Sequence, residues 1–174
     1  WGGAINSAKD LTITRSEKHL TVFTGNSAGK YGGALYNSSV MNISGAEFTD
    51  NISGSGGAVY NGGTATLSGV KFIKNFAADN GGAFYGGTNT LTDLLFSGNT
   101  GKNGGAIYND KFTEITGTVF SGNTSTAHGG AIYNIGAATI TGSTFTGNTS
   151  AERGGAMYSN KTLTVIDTVF ANNG

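Results

Sequence analysis

Cysteine and proline are both missing from the 174 residues. Without Cys the chain has neither a disulfide framework nor a thiolate zinc site. Charge is scarce, at 11% of residues, and ten basic side chains balance ten acidic ones. That balance leaves no net field to draw nucleic acid or an anionic membrane. No stretch of about eighteen apolar residues is present, so no transmembrane helix is expected. No signal peptide precedes Trp1 and no Met opens the chain; the sequence reads as a mature fragment or a piece of something longer. What is there is Gly, 31 residues of it, with abundant Ser, Thr and Asn. Such a composition resembles disorder, but 37% of residues are apolar and they recur at regular intervals.

The recurrence is a repeat. GGAIYN stands at 104–109 and again at 129–134, with variants at 32–37, 56–61, 81–86 and 154–159 and a further copy beginning at Gly2. A second phrase, F-x-x-N, alternates with it. Its aromatic column is Phe23, Phe48, Phe72, Phe96, Phe120, Phe145 and Phe170, at steps of 24 or 25 residues. Its amide column is Asn26, Asn51, Asn75, Asn99, Asn123, Asn148 and Asn173. A weaker third phrase lies between them: T-I-T at 12–14 and 139–141, N-I-S at 42–44, T-L-S at 66–68, T-L-T at 90–92 and E-I-T at 114–116.

Each phrase is short, rich in β-branched and aromatic residues, and bounded by Gly, Asn or Ser, which is the pattern of strands separated by turns. Three strands in about 24 residues make one coil of a parallel β-helix, whereas a propeller blade needs about forty residues. The expected fold is all-β: one domain over 1–174, a right-handed parallel β-helix of about seven three-strand coils of 24–25 residues. Coils stack at about 4.8 Å, so seven make a rod of roughly 30 Å. Equivalent residues then form ladders. Ile5, Leu35, Val59, Phe84, Ile107, Ile132 and Met157 should point inward, as should Ile13, Ile43, Leu67, Leu91, Ile115 and Ile140 and the Phe column. The Gly pair suits a tight or left-handed corner. The Asn of F-x-x-N suits αL geometry at a turn, its amide bonded to the next coil.

Alternating GGA-[ILV] and F-x-x-N over essentially the whole chain resembles the repeats of the polymorphic outer membrane proteins of chlamydiae and related autotransporter-type surface adhesins. The resemblance implies a right-handed β-helix passenger on the bacterial surface, extracellular and mostly concerned with attachment to host cells. The partner it implies is a host-cell protein or glycan. Phe84 and Met157 depart from the GGA-[ILV] pattern in two copies.

Many β-helices act on polysaccharides through clustered Asp, Lys or Arg, but no such cluster emerges from the columns. Asp93 and Asp167 share a column three coils apart, roughly 14 Å by strand spacing. Asp110 and Glu114 share a coil without carboxylates beside them. Glu47 and Lys71 fall in consecutive coils and read as a surface ion pair. His19 and His128 lack a partner at ligand spacing and read as solvated. No catalytic residue, metal ligand set or cofactor is therefore expected, and no nucleic acid or membrane insertion by this segment. An enzyme acting on polysaccharide and a subunit of an extracellular filament stay as alternative readings.

Two outward ladders are candidate surfaces. Tyr36, Tyr60, Tyr85, Tyr108, Tyr133 and Tyr158 directly follow the inward aliphatic column, so alternation puts them outside. They offer a surface for a sugar chain or a protein strand, against the plainer reading of a stabilising stack. The second is a double row of Thr and Ser flanking the T-I-T core position, read as ordinary exposed strand. The segments joining F-x-x-N to the next GGA (SAGKY, ISGS, FAADN, TGKN, TSTAH, TSAER) vary most and read as loops along one edge, where specificity usually sits. A charged bulge at Arg15-Ser16-Glu17-Lys18-His19 should shield strand edges at one end. Both ends fall within the repeat, Trp1 in the slot that Tyr31 fills one coil later, so further coils or end-to-end copies are expected to cover them. N-x-S/T sequons at Asn37, Asn42, Asn51, Asn123, Asn148 and Asn160 read as by-products of composition.

Overall fold

A computed structural model describes residues 1–17 and 19–174. Lys18, in the expected charged bulge, lies outside the described residues. Every strand pair in the three sheets is parallel, and each strand bonds to its counterpart one coil away. The result is a β-solenoid, and among the described residues there is no helix.

The walls are not divided as the three phrases suggest. The GGA and T-I-T phrases share one twelve-stranded sheet. In two coils they fuse into single strands, Val59–Ser68 and Phe84–Thr92. The Phe phrase makes a seven-stranded sheet from Thr21–Thr24 to Val169–Ala171. The third wall comes from the joining segments expected to be loops: Ile52–Ser53, Phe76–Ala77, Thr100–Asn103, Thr124–His128 and Thr149–Ser150 pair into a five-stranded sheet. Its inward residues, Ser53, Ala77, Gly101 and Ser125, are buried but tiny. They let this wall lie close to the core and leave no apolar alternation to read.

Three corners close each coil. Among the described residues, every one with positive φ falls in one of three columns: the first Gly of each GGA, the residue after the T-I-T strand (Gly45, Gly69, Asp93, Gly117, Gly142, Asp167), and the residue before each ladder Asn (Gly25, Asp50, Lys74, Gly98, Gly122, Gly147, Asn172). The left-handed residue therefore precedes the Asn of F-x-x-N, and that expectation is corrected by one position. The Asn itself keeps negative φ and so aims its amide along the rod. The two Gly of GGA differ in function. Gly104 has φ +69, and an added Cβ would sit 2.0 Å from the Ile107 carbonyl oxygen of its own turn. Gly105 has no such φ, but its Cβ would meet the Gly130 oxygen of the next coil at 2.2 Å. The first Gly turns the chain and the second admits the neighbouring coil.

The three expected inward columns are inward. Leu35, Val59, Phe84 and Ile107, then Ile43, Leu67, Leu91 and Ile140, and Phe48 through Phe145 form one continuous buried cluster. Successive Phe rings stack at 4.5–5.1 Å with planes 3–10° apart. Beside them the Asn ladder is complete. Asn75 donates its backbone N–H and Nδ2 to Asn99 Oδ1 at 2.9 and 3.0 Å, and its Nδ2 also donates to the Phe48 oxygen at 2.9 Å. The same bonds recur from Asn51 to Asn148, so each buried amide ties three coils together.

A second amide column passed unnoticed in the sequence. The last residue of GGAxYN, as Asn37, Asn61, Asn109 and Asn134, is fully buried or nearly so. Asn37 Nδ2 donates to Asn61 Oδ1 at 3.1 Å and Asn134 Nδ2 to Ser159 Oγ at 2.9 Å. Gly86 interrupts the column, and the Asn89 amide fills its space, since a Cβ on Gly86 would meet Asn89 Oδ1 at 2.5 Å. From there Asn89 donates to Thr113 Oγ1, which donates in turn to Asn109 Oδ1.

Candidate functional site

The six Tyr point outward and are half-buried. Each stacks on the next at 4.4–5.5 Å with planes 11–19° apart. The ring faces are thus consumed by other rings, and the row presents edges and hydroxyls. That geometry removes face-on sugar stacking from what the inner rings of this row can do. Burial is the first cause that holds the Tyr60, Tyr85 and Tyr108 phenols above the ordinary range; for Tyr85 the Asp110 charge is the second. The Tyr85 hydroxyl donates to Asp110 Oδ2 at 3.2 Å. Asp110 is therefore a partner of the Tyr row and not half of a carboxylate pair.

A second, broken row runs beside the first, at the position before each GGA. Trp1 stacks on Tyr36 at 4.9 Å and Tyr31 lies 4.5 Å from Tyr60. At the other end His128 stacks on Tyr158 at 5.2 Å, and its Nε2 lies 3.4 Å from Glu152 Oε2. This corrects the expectation of a solvated His128 without a partner: its side chain is only 24% exposed. The partner lies one coil away, in the following linker. Between Tyr31 and His128 the row is filled by Ser55, Asn80 and Asn103, which are too small to continue it.

That gap is a groove of about 320 Å³ on the linker wall. Two linkers one residue shorter than their neighbours, ISGS and TGKN, line it. At the second of them the pairing slips, and both Lys102 N–H and Asn103 N–H donate to the Asp79 oxygen. Lys30, Asp79 and Lys102 stand exposed on the rim, and Asn103 Nδ2 donates to Asn80 Oδ1 at 3.1 Å on the floor.

The remaining polar candidates do not converge. Asp93 and Asp167 are corner residues in the left-handed region, standing where other coils have Gly. Glu47 and Lys71 are in register but form no ion pair; Glu47 accepts from the Thr49 hydroxyl at 3.2 Å. Among the described residues, no three of His, Cys, Asp and Glu gather into a metal-binding group. The Thr and Ser double row is exposed or half-exposed and flanks the buried Ile and Leu of its strands. Asn37, Asn51, Asn123 and Asn148 are fully buried ladder members, so four of the six sequons offer no acceptor at the surface.

Four stretches, residues 20–38, 93–110, 117–135 and 142–160, match the Chlamydia polymorphic membrane protein repeat. Four of its coils thus resemble the polymorphic membrane protein repeat. Each matched stretch runs from the Phe strand through the Asn corner and the linker to the GGAxY strand. The polymorphic membrane protein repeat therefore contains the Phe ring, the ladder amide, the Gly pair and the outward Tyr together. The T-I-T strand lies outside every matched stretch. Comparison with curated proteins and with solved structures gives no match.

Proposed function

We propose that this solenoid is a non-catalytic module displayed on a bacterial cell surface, attaching to a host-cell protein or glycan through its linker wall and the adjoining Tyr row. The polymorphic membrane protein repeats support surface display. The observation that carries attachment is the contrast between walls. The T-I-T strands carry Thr or Ser at most of their outward positions, whereas the linker wall exposes Ile52, Phe76, Lys102 and Thr126. Joining segments that vary on a rigid scaffold are how recognition surfaces are usually built.

Beads coated with the purified domain and presented to cultured epithelial cells test this. Outward linker substitutions, Phe76→Ser with Lys102→Ala, should cut attachment, while Thr66→Ala with Thr90→Ala on the hydroxyl row should leave it unchanged. Equal attachment by both variants, or none by the parent domain, would sink the reading. Release of reducing ends from polysaccharides incubated with the domain would move it toward an enzyme.

A further inference from the structure

We propose that the groove between Tyr31 and Lys102 binds a carboxylated sugar residue, of the uronic or sialic acid class; this rests on the attachment reading and gives it a ligand. Much of the backbone around the groove is paired between coils. Ser55 N–H donates to the Lys30 oxygen, Asp79 N–H to the Gly54 oxygen, and the Ser55, Asn80 and Asn103 oxygens accept from Gly32, Gly56 and Gly81. These paired groups leave no continuous edge for a peptide to join as an added strand. The lining side chains then do most of the reading of an occupant.

Those side chains suit hydroxyl groups. Ser55 is only 8% exposed, lines the groove, and makes its hydrogen bonds through its backbone, its hydroxyl having no partner among the described residues. The Asn103-to-Asn80 bond fixes both amides, leaving Asn80 Nδ2 to donate and Asn103 Oδ1 to accept. Asp79 adds a strong acceptor. A sugar hydroxyl, at once donor and acceptor, satisfies such a mixed set, which an apolar ligand does not. Lys30 and Lys102 flank the single Asp79, leaving one positive charge for one carboxylate. Lys30 Nζ is held 5.0 Å from the centre of the Tyr31 ring. The Tyr31 ring is itself packed between Tyr60 and Trp1, so it contributes an edge and a hydroxyl. A volume of about 320 Å³ is at the small end for ligand sites and suits one or two sugar rings.

The test is titration of the purified domain, followed by NMR, with the methyl glycosides of glucuronic acid and N-acetylneuraminic acid. Glucose, inorganic phosphate and a polyglutamate peptide are the comparators. An acidic sugar should bind at least about tenfold tighter than glucose, and Lys30→Ala and Lys102→Ala should each weaken it by about tenfold, as loss of a charge-assisted hydrogen bond implies. Both lysines are exposed, so unchanged melting curves will show that the variants fold. Which of the two acids binds tells the two sources apart. Glucose binding as well as the acids, variants binding like the parent, or phosphate or polyglutamate competing equally would each overturn the proposal. If coated beads attach to cells but neither acid displaces them or binds the groove, the sugar site falls and the attachment reading stands. If acids bind the groove but beads do not attach, the attachment reading falls alone.

Discussion

Two aromatic rows climb this rod at the same pitch, Phe inside and Tyr outside. The inner rings are within 10° of parallel, and from Phe48 to Phe145 they are fully buried. The outer rings tilt by up to 19° and keep an edge in solvent. They also differ in how they meet an interruption. Where the first coil places Asn6 in the Tyr column, Trp1 swings in from the neighbouring column and stacks on Tyr36. The Phe column is interrupted in no coil. Identity along a ladder is thus enforced from all sides within the core and by two stacking neighbours on the surface.

The sharpest break in the comparison is Phe120→Ala against Tyr108→Ala. Phe120 is fully buried between Phe96 and Phe145. Its loss should cost about 3–5 kcal/mol through transfer energy and a cavity that the neighbouring coils cannot close. Tyr108 is half-exposed, and solvent fills the space it leaves, so its loss should cost less than half as much. Urea melts of the two variants decide it, and equal losses would mean that the outer row carries as much of the fold as the core.

A slightly smaller effect sharpens the same contrast for amides. Asn99→Ala removes the acceptor for Asn75 N–H and Nδ2 and the donor to the Phe72 oxygen, all in a buried setting. Leaving buried polar groups unpaired should cost about 3 kcal/mol in total. Asn80→Ala, on the groove floor, breaks one half-exposed amide pair and should cost well under 1 kcal/mol at an exposed site. Melts of the pair that coincide would show that the ladder is ornamental.

Much of this was legible in the sequence because ladders repeat large side chains. The Phe, Ile and Leu columns, the Gly corners and the Asn of F-x-x-N all declared themselves by recurrence. The linker wall did not, because Ser53, Ala77, Gly101 and Ser125 face the core with almost no apolar surface. The second amide column was written in the N of GGAIYN, but a polar residue after an outward Tyr gives no local sign that it turns inward. His128 and Glu152 are a contact only once the coil register is known. The Tyr row was readable as a candidate surface. The groove beside it was not, because it arises from two linkers each short by one residue and from what Ser55, Asn80 and Asn103 are too small to fill.

The smallest effect concerns protons on the outer row, where the inner one has none to lose. Tyr85 is held well above the usual phenol range, first by burial and then by the Asp110 charge. Tyr60 and Tyr108 are shifted the same way, burial again leading. The folded protein therefore keeps protons that the unfolded chain releases above about pH 10. Stability from these groups is fully present below that pH and is lost as pH rises from there toward the folded values. At neutral pH, Tyr85→Phe removes only the hydrogen bond to Asp110 and should cost about 1 kcal/mol. Above pH 10 the variant should lose stability more gently than the parent, because it has one fewer retained proton to release. Melting curves at intervals from pH 8 to about 11.5 check this. Parallel alkaline losses in parent and variant would show that the Tyr85 proton is not held by the stack, and would leave the outer row as packing alone.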